Sequence, residues 1–147
     1  MKNKFLSFFI ILFVSKLFVF SVNSAEQFNF DVTEIEILQN GDVIKGVKKG
    51  TINTTDGITI TADNFVYEKL LNIVTARGNV KIKDSGKNLE IYSDNVIYDK
   101  NKEIITTNKN SKAIYEIGKF IFADSFKFDR NQNILNANGK VKIEDTL

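Results

Sequence analysis

The chain has 147 residues, enough for one domain, and carries 20 basic against 18 acidic residues. It contains no Cys, His, Trp or Pro. That excludes thiol nucleophiles, His-based triads, disulfides and the ordinary zinc sites.

Residues 1–25 read as a targeting segment. Lys2 and Lys4 make a basic start, residues 5–14 are a nearly unbroken apolar run, and Asn23-Ser24-Ala25 ends in small residues. This pattern predicts a secretory signal cleaved near Ser24 or Ala25. The alternative is a retained anchor over residues 5–22, about the minimum length that spans a bilayer. The segment holds three of the 20 basic residues, Lys2, Lys4 and Lys16, and none of the 18 acidic ones, so residues 26–147 carry a net −1. No broad basic face is implied, and nucleic acid is a poor partner.

Residues 26–147 are expected to form one all-β domain, because no window sustains a helical period. Phe28, Phe30 and Val32 alternate, and then Ile35 and Ile37 alternate on the other parity, with the flip around Asp31. Asn40-Gly41 marks a turn. Residues 43–47 and 51–54 read as two short strands, and Asp56-Gly57 as a tight turn. Residues 28–55 are a degenerate first copy of a unit that recurs through the rest of the chain.

Residues 60–84, 91–115 and 121–145 are three copies of one pattern, offset by 31 and then 30 residues without a gap. A fixed period of this size means one supersecondary unit stacked on its like. In each copy an alternating strand reaches a small residue and an acid: Ala62-Asp63, Ser93-Asp94, Ala123-Asp124. There the apolar parity flips, which requires a bulge or sharp bend. A polar stretch comes next (68–72, 99–103, 129–133) and predicts a hairpin loop. A β-branched run leaves it and, in two copies, passes through Gly78 and Gly139 into residues 80–82 and 141–143. The second copy has Lys109 at that place, so its bend is expected to differ.

Stacking the copies aligns Ile60, Ile91 and Ile121; Phe65, Val96 and Phe126; Tyr67, Tyr98 and Phe128; and Ile73, Ile104 and Ile134 on one apolar face. Lys81, Lys83, Lys140, Lys142 and Glu144 take the alternate, solvated positions. The apolar strip is either a dry core or a lane open along its length that holds an elongated apolar ligand. Periodicity does not separate the two. Asp63, Asp94, Asp124, Glu68, Asp99 and Asp129 also recur. Catalysis needs one differentiated site, so repeated acids argue for Asx-type bonds to backbone at the bends instead. The dense glycine–aspartate run of calcium β-rolls is missing. The domain is read as neither an enzyme nor a holder of metal or cofactor.

The repeated elements resemble the OstA-like domain of the LptA family, most of all the N-terminal periplasmic domain of LptD-type outer-membrane assembly proteins. The resemblance rests on Ala62-Asp63, Phe65, Tyr67-Glu68, Ile73, Ala76 and Gly78-Asn79-Val80-Lys81-Ile82. It returns in Asp94, Tyr98-Asp99 and Ile104, and in Ala123-Asp124, Phe128-Asp129, Ala137 and Gly139-Lys140-Val141. It implies an open β-jellyroll of two sheets in the periplasm, or at the outer membrane, of a Gram-negative bacterium. Its interior would shield the acyl chains of lipopolysaccharide, and its edge strands would pair with other transport jellyrolls. Under that reading Ile60, Phe65, Ile91, Val96, Ile121 and Phe126 line the lipid path, with Tyr67 and Tyr98 near its rim. End strands with nothing to cover them would also allow head-to-tail oligomers. The dense repeats and the signal-like start favour a stand-alone LptA-type protein or an LptD fragment, between which no residue selects, over an anchored LptC-type protein, which a retained helix over residues 5–22 would favour. The alternative from another class is a structural or adhesive β-solenoid with a dry core and no ligand.

Overall fold

Residues 28–146 are described from a computed structural model; the expected targeting segment and its expected cleavage site lie outside the described residues. Twelve antiparallel strands succeed one another: β1 (Phe28–Leu38), β2 (Val43–Thr54), β3 (Ile58–Ala62), β4 (Asn64–Glu68), β5 (Ile73–Asp84), β6 (Leu89–Asp99), β7 (Ile104–Asn108), β8 (Ser111–Glu116), β9 (Lys119–Ala123), β10 (Ser125–Asp129), β11 (Ile134–Asn138) and β12 (Lys142–Asp145). The two short strands expected over 43–54 are one strand, β2, bent at Lys48, where φ is 68°.

The bends divide the sheet into two layers. Layer one runs through the front of β1, the back of β2, β3, the back of β5, the front of β6, β8, β9 and β12. Layer two runs through the back of β1, the front of β2, β4, the front of β5, the back of β6, β7, β10 and β11. Strands β1, β2, β5 and β6 cross from one layer to the other. The ladder register slips at Val32/Glu34 and at Arg77/Val80. Each slip is a bulge, and a bulge is what turns the apolar parity over without a loop. Ile58, Ile60 and Ala62 therefore face the interior before Asp63, and Phe65 faces it after, all at 0–1% exposure.

The bends share one construction. The Asp63 amide donates to the Gly78 carbonyl at 3.0 Å, and the Asp124 amide to the Gly139 carbonyl at 2.8 Å. Gly78 and Asn79 have φ of 77° and 47°, and Gly139 and Lys140 have 73° and 48°. The second copy was expected to bend differently, yet Lys109 and Asn110 adopt φ of 69° and 49°. The ladder on both sides imposes the turn, and the lysine accepts the left-handed strain, of about 1–2 kcal/mol for an L-residue. What changes is the fit. A Cβ at Gly78 would lie 2.6 Å from Asp63 Oδ2, and where Lys109 supplies a real Cβ the corresponding amide bond from Asp94 lengthens to 3.5 Å.

The carboxylates of Asp63 and Asp94 at the bends bond to side chains and not, as expected, to backbone. Asp63 Oδ2 and Asp94 Oδ2 accept from the side chains of Asn79 and Asn110, both at 2.8 Å. In the loops the expectation holds: Asp99 Oδ1 accepts from the Lys102 amide at 3.1 Å and Asp129 Oδ1 from the Gln132 amide at 2.9 Å. A second expectation fails at the strands leaving those loops. Ile73, Ile104 and Ile134 point outward, Ile134 being 46% exposed. Pairing Tyr67 with Val74, Tyr98 with Ile105 and Phe128 with Leu135 puts the following residue inward. A β-branched run is apolar on both parities, so only its ladder partner decides which side faces in.

Candidate functional site

The space between the layers is the feature the fold builds. Its middle is filled. Ile60, Phe65, Ile91, Val96, Tyr98 and Phe126 are each 0–1% exposed, packed with Ile52, Val74, Ile82 and Ile105. At roughly 25 cal/mol per Å² of apolar surface removed from water, such a core accounts for most of the drive to fold. Tyr67 and Ile121 are only partly buried and flank this middle on either side. Six of the eight sequence-predicted path residues thus share one dry core, and the other two mark where it gives out.

The ends differ from the middle. On the N-terminal side the inward face of β1 continues through Ile35 and Ile37, paired with Gly46 and Ile44, yet they are 49% and 65% exposed. On the C-terminal side Ile143 pairs with the inward Ile121 and is 66% exposed. Among the described residues, strand β1 pairs only with β2, β11 only with β10 and β12 only with β9. Beside the C-terminal edge a cavity of about 320 Å³ opens between the layers, walled by Leu89, Tyr115, Ile121, Phe128 and Leu135, with Lys87 and Asn133 as its polar members. That volume is at the small end of the ~300–1,000 Å³ range of ligand pockets.

Between the cavity and the N-terminal half lies a polar cluster that the sequence pattern did not reveal. The bent strands end in loops that face one another across a seam, and Arg130 spans it. Its Nε donates to Asp84 Oδ2 at 2.7 Å, and its Nη1 donates to Asp56 Oδ2 at 2.7 Å, to the Tyr98 hydroxyl at 3.0 Å and to Glu103. Lys100 Nζ donates to Asp56 Oδ2 at 2.6 Å and also pairs with Glu103. Tyr98 donates to Glu103 Oε2 at 2.8 Å. Arg130 is 8% and Asp84 1% exposed. Burial alone would raise the Asp56 carboxyl, but bonds from Lys100, Thr54 and Arg130 outweigh it and hold that group well below the ordinary carboxylate range. Burial, together with the bond to Glu103, pushes the Tyr98 phenol up. Tyr98, expected near the rim of the path, lies at the seam with its ring fully buried beneath the cluster.

Two features of the sequence, not used in reading it, could have found this cluster. Asp84 stands on the inward parity of Val80 and Ile82, and Arg130 replaces the lysine of the other two loops. On the N-terminal side of the cluster Phe28 of layer one meets Tyr67 and Tyr98 of layer two edge-on, with ring centroids 4.9 and 6.1 Å apart. On the outer face of layer one Lys81, Tyr92, Lys112, Phe122 and Lys142 stand opposite one another across successive strands. The Lys112 ammonium sits 4.6 Å from the Phe120 ring centroid. Cross-strand pairs of this kind support the sheet from outside.

The geometry is a two-layer sandwich with a filled middle, a cavity at its C-terminal edge and inward-facing isoleucines exposed at both edges. The solved structure of LptH from Pseudomonas aeruginosa, described as the LptA-homologous periplasmic component of the lipopolysaccharide transport device, superposes with a TM-score of 0.69. The match covers 79% of this chain and 92% of that one at 14% identity, which establishes a shared β-jellyroll fold. No curated protein sequence matches the chain significantly. The sequence model of the OstA-like proteins matches residues 26–134, and the chain belongs to that family.

Proposed function

We propose that this protein is a periplasmic jellyroll unit of a lipopolysaccharide transport path. It would be exported by its N-terminal segment, and it would carry lipid A acyl chains between its two layers. The observation that carries the reading is the inner apolar face, which runs past the core to exposed Ile37 at one end and exposed Ile143 at the other. A dry structural solenoid explains the filled middle but gives no reason to leave inward isoleucines uncovered at both edges.

Acyl chains gain roughly 0.8 kcal/mol per buried methylene, so a path of equivalent apolar rows holds a chain without fixing its position. The cavity at Leu89, Ile121 and Leu135 is the first station. Tyr67 lies toward the other end. Ile60, Phe65, Ile91, Val96, Tyr98 and Phe126 line the stretch between them once the layers part. The free edges of β1 and of β11 and β12 suit strand addition to other jellyrolls of the path, or to further copies head to tail. The family and fold are those of carriers, and the chemistry expected of the domain is binding without turnover.

Site-specific photo-crosslinking to purified lipopolysaccharide tests the reading. Probes at inward Ile121 and Leu135 should capture it, and probes at outward Lys127 and Lys142 should not. Equal capture from both sets, or none from either, would favour a structural solenoid.

A further inference from the structure

We propose that Arg130 and its partners form a clasp that gates movement along the interior, with Arg130 and Asp84 as positioning residues of the path. The inference rests on the carrier function proposed for the domain. An amphiphile inside the jellyroll keeps its chains between the layers and its charged head in water, since burying an unpaired charge is prohibitive. The head therefore travels along the seam while the chains travel along the core. Arg130 crosses that seam from a layer-two loop to Asp84 and Asp56 in layer one. The cavity at Leu135 lies on the C-terminal side of this crossing, and Tyr67 with its Phe28 contact lies on the other.

The clasp is built to hold. Among the described residues no buried side-chain nitrogen or oxygen lacks a hydrogen-bond partner, and Arg130 meets three acids: Asp84, Asp56 and Glu103. It is also built to release as a unit. Three carboxylates face two cations, Arg130 and Lys100, and every one of those bonds runs between loops and strand ends and not through a ladder. The bends on the far side are continuous strands and act as the spine about which the layers would part. Closed, the clasp confines a bound lipid to the C-terminal cavity. Open, it admits the lipid to the Val96 and Phe65 rows.

The chain has no Trp, so single-Trp reporters test this directly. One protein carries Leu135→Trp in the cavity, and another carries Tyr67→Trp beyond the clasp. The probe is lysophosphatidylglycerol with a dibrominated acyl chain, whose bromines quench indole on contact. With the native clasp the Leu135→Trp reporter should be quenched and the Tyr67→Trp reporter should not. Adding Asp84→Asn with Arg130→Gln should bring the Tyr67→Trp quench up to that at Leu135→Trp. Arg130→Lys, which keeps a cation on the seam, should largely preserve the block. A purely structural cluster would lower the melting temperature without moving the position of quenching. Quenching of both reporters with the native clasp would overturn the gate, and so would an unquenched Tyr67→Trp in the folded double variant. If the double variant melts below assay temperature, Asp56→Asn, on an exposed loop residue, replaces it. An unquenched Leu135→Trp would refute the carrier function itself.

Discussion

The middle and the ends of the interior are made from the same repeated rows, yet they differ in what covers them. Row for row, Ile121 and Ile143 continue the line of Ile60, Ile82 and Ile91 across neighbouring strands. Ile82 and Ile91 are 1% exposed, and Ile143 is 66%. Sequence repetition supplies an apolar face of any length, and burial of that face depends on a second layer and a closed seam. Where the Arg130 cluster and the Phe28–Tyr67–Tyr98 rings close the seam, the interior is dry. Where they stop, it is open.

Substitutions at matched positions sharpen the contrast. Phe65→Ala, in the middle, should lower stability by about 3–5 kcal/mol, whereas Ile143→Ala, on the same inner face at the edge, should change it by less than ~0.5 kcal/mol. Urea denaturation of the two variants measures the gap, and similar losses would mean that the C-terminal edge is as buried as the core. Arg130→Ala belongs with the first of the pair. It leaves Asp84 buried without its cation, and breaking such a buried pair costs about 3–5 kcal/mol.

Acid should weaken the closed region before the open ones. The Asp56 carboxyl is held below its ordinary value in the fold. Its contribution is therefore complete above the unfolded-state value, about 4, and is lost as pH falls through the folded value. Thermal melts of the native chain and of Asp56→Asn should differ at pH 7, and the difference should begin to shrink only below about pH 4 and still be partly present at pH 3. A gap that stays constant with pH would remove Asp56 from the clasp.

The smallest effect concerns the spine. Lys109→Gly relieves a left-handed lysine but adds freedom to the unfolded chain, for a net gain of a few tenths to about 1 kcal/mol. The reverse exchange, Gly78→Lys, should destabilise, because its Cβ lands 2.6 Å from Asp63 Oδ2.

Much of this architecture was legible in the residues. The parity flips at Asp63 and Asp94 give the bulges, and the polar five-residue stretches give the loops, because period two and turn chemistry are local properties. Three things were not legible. The facing of Ile73 against Val74 depends on a ladder partner in another strand. The tolerance of Lys109 for a glycine's conformation comes from the strands on either side of it. The clasp joins Asp56, Asp84, Glu103 and Arg130, which are distant in sequence and meet only after the layers close. Each lies in a segment that reads as an ordinary polar loop or strand end.

Hydrogen–deuterium exchange on the free and lipopolysaccharide-loaded protein tests most directly the claim of a closed middle with a lipid-receiving C-terminal end. Free protein should exchange slowly in β5 and β6 and quickly in β1, β11 and β12. Adding lipopolysaccharide should slow exchange at β11, β12 and the Tyr115 and Ile121 strands first, with little change in β5 and β6. Exchange that is uniformly slow from edge to edge in the free protein, or that is unmoved at β11 and β12 by lipopolysaccharide, would contradict the claim.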